Sequence, residues 1–238
     1  MPQLLPIQKE LRQMANPTKA LILAGFFKTG SGGYAEGDKF LGVVVPQIRS
    51  LIKKNINLSL KDLLVLVCSP WHEERLLGLL IMVAQYPVSS KEKKQQLFQM
   101  YIKNTKYINN WDLVDLTAEH IVGAHLEKTN KKIIWQLARS RNLWEKRIAI
   151  LATFKYIKQG QPDLTLAIAK KLLSDQHDLI HKAVGWMLRE VGKRCSQTKE
   201  EEFLSQYGRK MPRTTLRYAI ERFSASKKKY FMNLKPMK

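Results

Sequence analysis

The sequence predicts an all-α protein, an α-solenoid of stacked antiparallel helix pairs. Three observations carry that expectation. Apolar residues recur at helical spacing through nearly every segment. Helix starts are marked by Ser, Asn or Asp, in two places followed by Pro, as in Asn16-Pro17 and Ser69-Pro70. No stretch alternates as a strand does, and the links between segments are short. The 238 residues, 45% of them hydrophobic, suffice for a sizeable core.

Taken in order, 3–14 is a first amphipathic helix, and Asn16-Pro17 starts a second that runs to about Lys28. Thr29 to Gly33 is a Gly/Ser loop. The run Gly37 to Val45 has the composition of a strand, but Pro46 follows it and 46–54 reads as helix, so 34–45 is expected as a buried connector. Ser59 and Ser69-Pro70 open two further helices, the second holding the apolar run Leu76 to Ala84. Another covers 91–103. Asn109-Asn110 caps a helix starting at Trp111, and the remaining candidates are 130–139, 142–158, 162–174, 178–194, 198–207 and 212–223. About a dozen helices in pairs suggest divergent HEAT-like repeats, whose stacking gives a concave surface, here a basic one. A compact irregular bundle is the alternative. The domain is expected to span 1–223. Residues 224–238, with Lys227-Lys228-Lys229 and no apolar period, are expected to be a mobile basic tail.

Charge narrows the partner. Lys and Arg number 41 against 20 Asp and Glu, a formal net charge of +21. Residues 1–127 hold 15 basic and 11 acidic groups, whereas 128–238 hold 26 and 9. Such an excess suits a polyanion, either nucleic acid or an anionic membrane surface. No apolar run approaches the ~20 residues of a membrane span. The N-terminus has no charged-then-apolar signal segment, and two cysteines, Cys68 and Cys195, read as reduced and cytosolic.

The chain is organised around Asn109-Asn110-Trp111-Asp112-Leu113-Val114-Asp115. Trp111 and Asp115 are four apart and share a helix face. Asp112 lies in the first turn, where a negative charge favours the helix dipole. Asp115, between Val114 and Leu116, is expected near the apolar side, where a carboxylate is costly unless it is paired or its site opens to solvent. It is therefore either a buried acid satisfied by an Arg or a functional one.

In 178–194, Ile180, Ala183, Val184, Met187, Leu188 and Val191 form one stripe, and Trp186 is off it among Lys182, Arg189 and Lys193. An indole among cations suits stacking on bases with cations on phosphates; a Trp covered by an adjacent repeat is the alternative. Arg147 stands among apolar rows of 142–158. It is expected either to find a carboxylate or phosphate, with Asp115 the attractive partner, or to be an ordinary surface Arg.

Other chemistries fit poorly. His72-Glu73-Glu74 and His120/His125 lack zinc spacing, and His177/His181 have no clear third ligand. Gly30-Ser31-Gly32-Gly33 has neither the preceding strand nor the following Lys of a P-loop. No metal, cofactor or nucleotide is expected.

Five stretches in order, Ala35 to Val43, Asn110 to Asp115, Asn142 to Arg147, Ala183 to Glu190 and Met211 to Ile220, resemble the AlkD-like DNA alkylation repair family over about residues 10–223. The resemblance implies a HEAT-like solenoid on duplex DNA that excises cationic N3- and N7-alkylated purines as free bases. It does so without inserting the lesion into a deep pocket, unlike most glycosylases. It places Asp115 at the catalytic acid, Trp111 and Trp186 at the lesion-side indoles, and Arg147 at the active-site arginine. Phe26 and Phe27 are the nearest matches to an N-terminal aromatic, where a Tyr would be closer to the pattern. Lys182, Arg189, Lys193 and Arg213 are the expected DNA-binding cations. A monomer on the nucleoid, in the cytoplasm, is expected. A DNA-binding solenoid without chemistry and a protein-binding scaffold are the competing functions.

Overall fold

A computed structural model describes residues 5–127 and 130–234. Residues 3–4 of the first expected helix and 235–238 of the expected tail lie outside the described residues. Those described are all-helical, in packed helix pairs, with no strand among them; one isolated bridge joins Lys39 to Trp71. They fall into two compact units, 1–117 and 118–238.

The first unit contains α1 (Pro6–Gln13), α2 (Pro17–Phe26), α3 (Val45–Ser50), α4 (Leu60–Val67), α5 (His72–Val88), α6 (Lys91–Lys103) and α7 (Trp111–Asp115). Three of the expected starts hold, whereas the helix expected from Ser69-Pro70 begins only at His72, without a side-chain cap. Asn16, Ser59 and Ser90 each accept a backbone N–H of the first turn through the side chain. α5 is the central element, buried from His72 to Met82. The connector before α3 is not a strand. Ala35 and Phe40 to Val43 are buried in it, and Gly42 turns with φ +81. A Cβ there would lie 2.1 Å from the Asn16 carbonyl oxygen, so only glycine fits.

Four consecutive polar residues at the start of α5 explain why the connector is fixed. Glu73 accepts hydrogen bonds from the backbone N–H of Leu41, Gly42 and Val43 (2.8, 2.8 and 3.2 Å). Glu74 accepts from Gln8, Arg12 and Ser69 at 2.6–2.7 Å and ties α1 to α5. Buried charges are tolerated only when so completely paired. His72 and Arg75 form the network described below.

The second unit contains a π-helical segment (Glu119–Gly123), α8 (Ala124–Leu126), α9 (Lys132–Ala138), α10 (Leu143–Ala152), α11 (Phe154–Ile157), α12 (Asp163–Leu172), α13 (Asp178–Arg194), α14 (Gln197–Tyr207), α15 (Arg213–Ala219) and α16 (Ala225–Met232). The apolar stripe of α13 is buried as expected, and α13 packs closely on α15: a Cβ on Gly185 would lie 2.5 Å from the Thr215 carbonyl oxygen.

Two expectations about elements are corrected. The helix expected over 142–158 is broken at Thr153, whose hydroxyl donates to the Ile150 carbonyl at 2.6 Å. The segment expected as a mobile tail contains α16. Ser224 caps it, and Phe231, 3% exposed, packs against Phe223 with ring centroids 5.6 Å apart. One buried aromatic, too little to show as a period, anchors it.

Candidate functional site

α7 is only five residues long, with Trp111 at its start and Asp115 at its end. Its position is set by the two asparagines before it. Asn110, fully buried, accepts the Trp111 N–H at 2.8 Å. Asn109 donates to Asp38 Oδ1 at 3.0 Å and accepts from Arg75 Nη2 at 3.1 Å. Arg75 also donates to Asp38 Oδ2 at 2.7 Å and to the Ser69 carbonyl at 3.1 Å. His72 completes the network. Its Nε2 lies 2.8 Å from Asp112 Oδ2 and its Nδ1 lies 3.5 Å from Asp38 Oδ2.

The two acids differ in burial. Asp112, the first-turn acid, is 7% exposed; its Oδ1 accepts the Leu113 N–H at 2.9 Å. Asp115, expected near the apolar side, is half-buried. The reason is the shortness of α7: the chain turns at Leu116 and Thr117, so 111–126 does not continue as one helix with one apolar face. Asp115 lies close enough to Tyr101 that its charge adds to burial in pushing the Tyr101 hydroxyl above its ordinary range. That hydroxyl is held by Thr117 Oγ1 at 2.9 Å.

Burial pushes the Asp38 carboxyl up, but hydrogen bonding to His72, the Arg75 charge and Asn109 outweigh it, and Asp38 titrates below the usual carboxylate range. Burial likewise pulls His72 down, and hydrogen bonding to Asp112 and Asp38 together with the Asp112 charge outweighs that, raising the imidazole above its ordinary value.

Trp111 is half-buried in an aromatic cluster. Its Nε1 donates to the Tyr34 hydroxyl at 3.2 Å, and its rings stand 5.1 Å from Phe27 and 5.9 Å from Phe26. Of the two expected N-terminal contacts, Phe26 is 61% exposed and open to a ligand. Phe27 is not; at 6% exposed it is core, between Phe40 and Trp111. Tyr34 was not singled out by sequence, although it sits between the Gly/Ser loop and the Ala35–Val43 motif and is a tyrosine of the kind sought near the N-terminus. Asp38, His72 and Arg75 were also missed, because their role shows only when the connector, α5 and α7 meet.

In the second unit Trp186 is half-buried, 6.0 Å from Phe154 between ring centroids. Lys158 and Arg194 lie over the ring of that neighbouring Phe154, at 4.5 and 5.4 Å. The expected phosphate contacts differ in availability. Lys193 is exposed. Lys182 pairs with Asp178 at 2.7 Å, and Arg189 with Glu221. Arg213 donates to the Met232 carbonyl and thereby holds α16, which makes it a structural residue first. Arg147 is not a surface arginine: it is 5% exposed and donates to the Leu179 carbonyl.

Among the described residues no three His, Cys, Asp or Glu side chains converge on a metal site, and no helix is long and apolar enough to cross a membrane.

Fold and residues together define an all-helical protein with two aromatic–cationic clusters in a strongly basic chain. Residues 7–223 match the family model described as DNA alkylation repair enzyme, and the chain belongs to that family. Among solved structures it is similar to one from Enterococcus faecalis described as a predicted DNA alkylation repair enzyme. The TM-score is 0.68 at 16% identity, covering 89% of this chain and 98% of that one, a likeness of fold. No curated protein matches.

Proposed function

We propose that this member of the DNA alkylation repair family is a DNA glycosylase. It hydrolyses the N-glycosidic bond of cationic N3-alkyladenine and N7-alkylguanine in duplex DNA. Asp115 is the catalytic carboxylate in this reading, Trp111 and Trp186 are the sugar- and lesion-contacting indoles, and Arg147 is the site arginine. Lys182, Arg189, Lys193 and Phe26 are DNA contacts. The protein acts as a monomer in the cytoplasm, without a metal or cofactor.

The observation that carries the reading is local to α7. A half-open carboxylate ends the same short helix that an indole begins, and that indole is fixed by Tyr34 and flanked by the exposed Phe26. Glycosidic cleavage ordinarily uses two carboxyl groups, one of them to protonate the leaving group. An alkylated purine is already cationic, so it leaves with the bonding electron pair and needs no added proton. Positive charge then moves from the base onto the deoxyribose. A carboxylate beside the sugar favours that movement and orients the water that bonds to C1′. The proton this water sheds goes to the carboxylate or to solvent.

At ~4 Å and an effective dielectric of ~20 the attraction is roughly 4 kcal/mol. Fully differential, that is about a thousandfold in rate. Only the shift in charge counts, so the effect is smaller than that bound. The π faces of the indoles hold the cationic sugar and base.

The test is chromatography of bases released when the purified protein is incubated with methylated duplex DNA. Free 7-methylguanine and 3-methyladenine are expected. Tight duplex binding with no release would leave a non-catalytic DNA-binding protein.

A further inference from the structure

We infer that the imidazole of His72, clamped between Asp38 and Asp112, is a positioning residue for the helix that carries Trp111 and Asp115. The inference rests on the glycosylase reading only for its kinetic consequence; the clamp itself is a matter of geometry.

His72 is 2% exposed and is tied to α7 by two routes. The first is ionic. Its Nε2 meets Asp112 in the first turn of α7 at 2.8 Å, while its Nδ1 faces Asp38 of the connector at 3.5 Å. The second is through rings. The imidazole stacks on Phe40 at 4.5 Å and packs on Phe27 at 5.1 Å, and Phe27 in turn packs on Trp111 at 5.1 Å. The backbone N–H of His72 donates to the Lys39 carbonyl at 2.8 Å, so the ring cannot follow α7 if that helix moves.

Only the imidazolium presents a donor to both carboxylates. The charges facing it come from three elements: Asp38 on the connector, Asp112 on α7, and Arg75 and Glu73 on α5. Glu73 is already saturated by three backbone N–H groups. With His72 protonated, two cations meet Asp38 and Asp112. When the proton leaves, the N–H that remains stays on Nε2, the nitrogen 2.8 Å from Asp112, so that contact falls from an ion pair to a neutral hydrogen bond, while Asp38 keeps Arg75 and Asn109. The first turn of α7 then has reason to shift toward water, and Trp111 and Asp115 move with it. Both clamp interactions push His72 to hold its proton above its ordinary range, so the loss falls on the alkaline side.

The experiment uses the full chain labelled with 5-fluorotryptophan, the Trp111 fluorine resonance being assigned by Trp111→Phe. The His72 ring is followed by nitrogen NMR over the same pH series. The Trp111 resonance is expected to move with the His72 midpoint, and base release from methylated duplex to fall by about tenfold or more across it, while duplex affinity measured at constant salt does not follow it. His72→Gln, which can reach one carboxylate and not both, is expected to give the high-pH Trp111 signal at every pH. A Trp111 resonance indifferent to the His72 titration overturns the inference. If His72→Gln does not fold, the wild-type series alone decides. Absence of base release at any pH, with Trp111 still following His72, overturns the glycosylase reading and leaves the clamp standing.

Discussion

Glu200 shows how far a single residue's surroundings set its behaviour. Its sequence context, Glu200-Glu201-Glu202 after a capping Ser196, reads as a solvated acidic turn. In the fold it is 2% exposed, and its Oε1 has no hydrogen-bond partner among the described residues. Burial first, and the Glu201 charge second, push its carboxyl up to about 8. An acid whose folded pKa is raised stabilises the fold below its unfolded value near 4.5, and that contribution is lost as pH rises through about 8. Stability measured by urea denaturation is therefore expected to fall between pH 5 and 9 by on the order of 2–3 kcal/mol more in the wild type than in Glu200→Gln. Parallel pH profiles for the two proteins would show that Glu200 is hydrated after all. The same lesson applies to Asp112 and Asp115. Sequence spacing identified both, but which one is buried depends on where α7 stops and on His72, forty residues away. No local pattern encodes a partner at that distance.

At the scale of elements, α13 and α6 match their expected bounds because long amphipathic patterns with a side-chain cap leave little freedom. The break at Thr153 and α16 did not match, because tertiary contacts rather than period decide them. Two predictions belong here. Gly42→Ala puts a side chain at φ +81 and against the Asn16 carbonyl. It is expected to destabilise the protein by about 2 kcal/mol or more in urea denaturation; a change under about 0.5 kcal/mol would mean that the connector yields freely. α2 is the soft element of its unit. It is apolar at most positions yet has no fully buried residue, exposes Leu21, Ile22 and Phe26, and borders an apolar cavity of about 270 Å³. Its amides are expected to exchange with solvent well before those of α5 in hydrogen-exchange measurements. Equal protection would contradict this account of its packing.

At the scale of the whole molecule, the fold class and the family were legible in the sequence, the first from helical period throughout and the second from five short motifs in order. The division into two compact units was not, since neither composition nor a linker marks Thr117. The positive charge is a property of the entire chain and is heaviest after residue 127. If it serves a duplex through six or more phosphate contacts, affinity is expected to drop ~10³-fold between 50 and 200 mM salt. A flat response would point to a protein partner instead. Binding alone, however, does not separate an enzyme from a passive binder; replacing the carboxylate at the end of α7 does. The decisive measurement is the single-turnover rate of 7-methylguanine release by Asp115→Asn beside the wild type, with duplex affinity determined for both. The expected result is unchanged affinity with release slowed by about 10²- to 10³-fold. Release at the wild-type rate from the Asn variant would contradict the assignment of Asp115 as the catalytic group.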